Sequence, residues 1–170
     1  MDNFIIKLGS IGKNKKSHFF KIKDAFFEDF IFSEIKNVDI EANVILFKDL
    51  NKINLRIILD GKINGIACDI CNEKLSININ CSTKLIIKKS QRNLTSTDEI
   101  IYLQKNENSI NLKQIIFELI VLNIPAKRVH PLDKNGNRTC DKGMIELLNK
   151  YMPGKLRLSD PRWDALKNIK

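Results

Sequence analysis

Apolar and polar residues alternate along the first half of the chain with a period of two. Val38, Ile40, Ala42, Val44 and Leu46 alternate with Asn37, Asp39, Glu41 and Asn43. Ile53, Leu55, Ile57 and Leu59 alternate with Lys52, Asn54, Arg56 and Ile58, and Leu75, Ile77, Ile79 and Cys81 alternate with Ser76, Asn78, Asn80 and Ser82. Successive strand side chains point to opposite faces, so this pattern predicts an antiparallel sheet packed on one side. Asn3–Leu8, His18–Lys23 and Glu99–Leu103 are weaker strands, and a short helix from Asp24 carries Phe26, Phe27 and Phe30.

The period then changes. Asn111 is placed to cap a helix with Gln114 as its box partner, and Ile110 and Ile115 occupy the two staple positions. The helix spans about 111–123, lies on the core side of the sheet, and stops before Pro125, whose ring disfavours a helical residue before it. A polar loop, Pro125–Thr139, leads to a helix near Asp141–Tyr151. Pro153 and Gly154 break the chain, and a last short helix starts with Asp160 as cap and Pro161 at its first position. The expected fold class is therefore α+β: an antiparallel sheet, open or closing towards a barrel, with C-terminal helices packed on it. Residues 1–125 form the β-rich core with one apolar helix. Residues 126–170 supply a basic loop and short helices, as part of the same domain or as a tail.

Composition narrows the picture. At 170 residues and 43% apolar content the chain is long enough to bury a real core without a metal or disulfide to fold it. The start, MDNFIIKLGS, has an acidic second residue and no apolar stretch of signal-peptide type. The most apolar run, Ile115–Ile124, is interrupted by Glu118 and is far short of the ~20 residues of a membrane span. A cytoplasmic protein with reduced thiols is expected, and no membrane partner. The net charge is +9, placed unevenly: residues 126–170 hold 11 Lys/Arg against 5 Asp/Glu, whereas residues 1–125 hold 18 against 15. A further run, Lys13, Lys15, Lys16, Lys21 and Lys23, meets no acid until Asp24. Clustered positive charge is the usual footprint of a polyanion, and the arginines among the C-terminal charges suit bidentate phosphate contacts.

The chemistry available is concentrated in thiols. Cys68-Asp69-Ile70-Cys71 has the C-x₂-C spacing of a zinc knuckle or a redox pair, and it falls between two strand patterns, at or near a hairpin tip. A redox pair needs a following helix to hold a thiolate, and here a strand follows. Cys81 shares the apolar parity of its strand and reads as a buried free cysteine. His18 reads as a surface or edge residue. His130 and Cys140 flank the basic loop; with Cys68 and Cys71 they would complete a Cys₃His zinc site clipping the loop to the hairpin. The alternative leaves His130 at the surface and Cys140 as a small buried residue. The sequence shows no Gly-rich phosphate loop, Ser/His/Asp grouping or clustered carboxylate pair, so no enzyme activity is expected.

The order of these segments resembles a known family. Cys68-Asp69-Ile70-Cys71 follows a β-rich first half, and Ile110-Asn111-Leu112 opens the apolar helix. Then come Ile124-Pro125-Ala126-Lys127-Arg128-Val129-His130-Pro131, Cys140-Asp141, and finally Asp160-Pro161-Arg162-Trp163-Asp164-Ala165-Leu166-Lys167. The chain is similar to the YceD family, the large ribosomal RNA subunit accumulation proteins, from about its second strand to its last helix. The resemblance implies a role in large-subunit ribosomal RNA accumulation and ribosome biogenesis, with no established enzymatic activity. Many members carry a second cysteine-rich cluster near the C-terminus; here His130 and Cys140 stand in its place. With that, the expectation is a non-enzymatic RNA-binding factor with one structural zinc ion at Cys68, Cys71, His130 and Cys140. Its partner would be large-subunit ribosomal RNA or its precursor. Lys127, Arg128, Arg138, Arg157 and Arg162 would meet phosphates, while Trp163 either stacks on a base or packs the last helix. The alternative is a zinc-clipped module that docks on a ribosomal or RNA-processing protein.

Overall fold

The computed structural model describes residues 4–9, 11, 15–30, 35–49, 52–91, 94–151 and 162. The three strictly alternating segments become the longest strands: β3 (Val38–Asp49), β4 (Lys52–Ala67) and β5 (Lys74–Ser90). With β2 (Lys16–Ile22) and β6 (Ile100–Gln104) they form one sheet in the order β2-β3-β4-β5-β6. The first three pairings are antiparallel, and β6 runs parallel to β5. With β2 and β6 as its two edges, the sheet is open, so the barrel-like option does not hold among the described residues. A second, two-stranded sheet joins β1 (Ile5–Lys7) to β7 (Ser109–Asn111), a strand too short for its periodicity to be read.

One face of the large sheet carries the core. Ile40, Val44, Leu46, Leu55, Ile57, Leu59, Ile63, Ile79 and Ile87 are almost completely buried, as the alternation predicts. Two helices cover this side. The short α1 (Asp24–Phe27) buries Phe26 and Phe27, and Asp24 accepts a 2.8 Å hydrogen bond from the Val38 amide, tying α1 to the start of β3. Helix α2 (Lys113–Asn123) buries Ile116 and Ile120. Aromatic contacts lock the two together: Phe30 stacks on Phe117 with centroids 3.8 Å apart, and Phe26 meets Phe4 edge-on at 4.9 Å. Lys113 pairs with Asp29 and lies over the ring of Phe26.

The expected capping box at α2 is not made. Asn111 accepts a 2.9 Å bond from the Lys113 amide, but the Gln114 side chain turns away to Glu118, at 2.7 Å. Asn111 is held in β7, and the cap position falls on Leu112, whose side chain has no oxygen to accept a bond. Helix α3 (Lys142–Tyr151) follows the basic loop, with Asp141 accepting from the Met144 amide at 2.9 Å. The expected helix at Asp160 and Pro161 lies outside the described residues. Among the described residues no helix is long and apolar enough to cross a membrane.

Candidate metal centre

The hairpin between β4 and β5 supplies half of a four-donor cluster. The chain turns at 68–73 because the Cys68 amide donates to the Glu73 carbonyl (2.8 Å) and the Asn72 amide donates to the Cys68 carbonyl (2.9 Å). Asn72 adopts a left-handed conformation, φ 58°, which asparagine tolerates better than most residues. The turn brings the sulfurs of Cys68 and Cys71 to one side, where both are buried.

The other half comes from the basic loop, through a small hairpin that its spacing conceals. Asp133 accepts from the amides of Asn135 and Asn137, both at 2.8 Å, and Gly136 takes φ 81° at the turn. Leu132 and Arg138 form a β-bridge, and Thr139 donates to the Pro131 carbonyl at 2.7 Å. The stem so closed sets His130 beside Cys140, although nine residues separate them in the chain. The turn residues Asp133, Asn135 and Gly136 were the available signal.

The two halves meet. Cys68 Sγ lies 3.8 Å from Cys140 Sγ, while His130 Nδ1 lies 3.4 Å from Cys71 Sγ and 3.7 Å from Cys140 Sγ. All four donor atoms fall within 4.8 Å of one another. A tetrahedral zinc with Zn–S near 2.3 Å and Zn–N near 2.0–2.1 Å requires edges of about 3.8 Å between sulfurs and about 3.6 Å from sulfur to nitrogen. The donors therefore suit the ion in type, and these three edges are close to its spacing. His130 presents Nδ1, so the neutral ring that binds would carry its proton on Nε2. Cys81 is half-buried on the core side of β5, outside this cluster, and burial raises its pKa. His18 lies on edge strand β2, paired with Val44, and burial together with Lys16 lowers its pKa.

The cluster already favours one thiolate. Burial opposes ionisation of Cys68, but hydrogen bonds from the backbone of Cys71, Ile70 and His130 and from the Cys71 side chain outweigh it and bring the pKa to about 6. Cys140 moves the other way, raised by burial and by its contact with Cys68. A thiol that ionises more readily folded than unfolded stabilises the fold fully above about pH 9, and that stability is lost as the pH falls through about 6. Metal-free protein titrated by thiolate absorbance is expected to show one step near pH 6 that Cys68→Ser removes. Every thiol ionising at or above 9.0 would contradict this geometry.

Arg128, expected to meet phosphate, also has a partner within the chain. Its amide donates to Asp69 Oδ2 and its carbonyl accepts from the Asp69 amide, both at 2.7 Å, and its guanidinium pairs with Asp69 Oδ1 at 3.1 Å. Asp69 sits between the two cysteines, so Arg128 clamps the loop onto the knuckle, a role for Asp69 that sequence reasoning missed. Lys127 and Arg138 are exposed on the same loop, together with Lys134. Arg162 is also at the surface. Arg157 and Trp163 lie outside the described residues.

Comparison with known proteins adds a family. A family model described as large ribosomal RNA subunit accumulation protein YceD matches residues 55–170, which include all four donors. No curated protein and no solved structure matches the chain.

Proposed function

We propose, from the premise that this chain belongs to the YceD family of large ribosomal RNA subunit accumulation proteins, that it binds large-subunit ribosomal RNA or its precursor directly and without catalysis. Family membership implies the coarser role, in accumulation of that RNA. The finer reading is supported by one observation: the four donors converge where an exposed basic hairpin, with Lys127, Lys134 and Arg138, meets the β4–β5 turn. Cations held on an ordered loop lose less freedom on meeting phosphates than cations on a free tail. Four protein donors would close the coordination of one zinc ion, whereas catalytic zinc keeps a position for water or substrate, which favours a structural ion. A role with large-subunit ribosomal RNA points to work in the cytoplasm.

The test is filter binding of a transcribed large-subunit ribosomal RNA precursor across a salt series. Lys127→Glu with Arg138→Glu is expected to weaken binding about tenfold or more and to flatten the dependence of log K on log salt, since each lost phosphate contact removes about 0.7–0.9 from the slope. An unchanged affinity and slope would overturn the role of the loop. Arg128→Ala is expected to loosen the clip, seen as faster proteolysis of the loop, before it alters RNA affinity.

A second reading, docking on a ribosomal or RNA-processing protein, draws on α3. Met144, Leu147, Leu148 and Tyr151 are exposed along that helix, and Leu122 is 82% exposed on α2. Partners that stay bound after complete nuclease digestion would favour it.

A further inference from the structure

The outer face of the large sheet is not uniformly polar. Pairing register places Phe19 beside Asn43 and Ile58, the next row holds Ser17, Ile45, Arg56 and Lys84, and Phe47 lies beside Asn54 and Ile86 in the row after. Phe19 is 74% exposed in the middle of β2. A groove of about 590 Å³ runs between Lys15, Phe47, Arg56, Lys84 and Glu99. Among the described residues, Lys15, Arg56 and Lys84 make no ion pair with a carboxylate. Further towards the β4–β5 turn the same face changes sign, to Asp39, Glu41 and Asp60 with Lys62.

We infer that this aromatic and basic end of the sheet is a single-stranded RNA platform, separate from the clipped loop. Two phenylalanine rings would stack on unpaired bases while Lys15, Arg56 and Lys84 meet the backbone phosphates. From strand spacings the two rings stand about 14 Å apart, far enough to serve different bases. An exposed ring on a sheet face, bordered by cations that make no ion pair among the described residues, suits stacking combined with phosphate contact, a combination that tolerates any base. A duplex keeps its bases stacked inside and offers these rings nothing. The acidic patch bounds the platform by repelling a strand that overruns it. Lys84 is ten residues along β5 from the start of that strand, so roughly 33 Å separate the platform from the clip. The inference rests on the reading of this protein as an RNA binder and assigns that binding a second surface.

The test is fluorescence anisotropy with a labelled, mixed-sequence single-stranded RNA of about 16 nucleotides, and with the same strand annealed to its complement. Wild type is expected to prefer the single strand. Phe19→Ala, whose exposed ring leaves the core untouched, is expected to weaken binding at least fivefold or so. Arg56→Glu with Lys84→Glu is expected to lower the salt slope by about 1.4, from roughly 0.7 per phosphate contact on a single strand. If both sheet variants bind like wild type while Lys127→Glu with Arg138→Glu loses the RNA, the platform is overturned and the RNA-binding reading stands. If wild type binds neither RNA, both are overturned. Tighter binding to the duplex, or a protein partner lost on Phe19→Ala without RNA binding, also overturns the platform.

Discussion

Protein purified without chelator is expected to carry about one zinc per chain, and Cys68→Ser with Cys71→Ser is expected to carry none. Three thiols and an imidazole converge to within 4.8 Å, with the sulfurs buried, and the three edges from Cys68 to Cys140, Cys71 to His130 and Cys140 to His130 are near those of a tetrahedral ion. The main consequence should be local. The buried apolar face of β3, β4 and β5 is built mainly from Ile, Leu and Val, so the variant should keep its β-sheet spectrum while the segment from Pro125 to Cys140 becomes open to protease. A ligand that binds only the folded form stabilises it by about 4 kcal/mol at 1,000 times its Kd. Buffered zinc should therefore raise the unfolding midpoint of wild type and leave that of the double variant unmoved. Metal-free wild type whose midpoint and protease pattern ignore zinc would end the idea.

Gly61→Ala is expected to destabilise the fold by about 3 kcal/mol or more, a large share of the ~5–15 kcal/mol that holds a domain together. Gly61 pairs with Ile40 in the central β3–β4 ladder, with φ 156°. A methyl group there would lie 2.2 Å from the Asp39 carbonyl oxygen and 2.5 Å from the Ile40 Cα. Both are backbone atoms, so no side chain can rotate away and β3 itself must shift. Gly9→Ala is the contrast, because nothing lies within 4 Å of the added atom. A urea titration should separate the two, with Gly9→Ala within about 0.5 kcal/mol of wild type. A Gly61→Ala protein as stable as wild type would refute the close approach of these strands.

These cases show which features a single sequence can carry. Strands β3, β4 and β5 were legible because one fully buried face forces strict alternation over many residues. Strand β7, three residues long, is too short for a period to register, and its pairing with β1 links positions about a hundred residues apart. The parallel course of β6 was hidden because alternation reports a face and says nothing of a partner. At the site, Cys68 and Cys71 were legible because their spacing alone presents two sulfurs to one ion. His130 and Cys140 had to be joined by a hairpin whose bridge, Leu132 to Arg138, is tertiary information. The pairing of Arg128 with Asp69 was hidden for the same reason: it spans 59 residues, and charge counting reports no partner.

The separation of the donors also sets an order of events during synthesis. Cys68 and Cys140 are 72 residues apart, so at ~5–20 residues per second roughly 4–14 s pass between their additions to the chain. In that interval the β4–β5 hairpin can form with two thiols and no partners. The basic hairpin is fastened only after translation passes residue 140. Should zinc fill the site, its loading would wait for the last donor: a chain that ends before Cys140 holds three of the four ligands and cannot close the coordination.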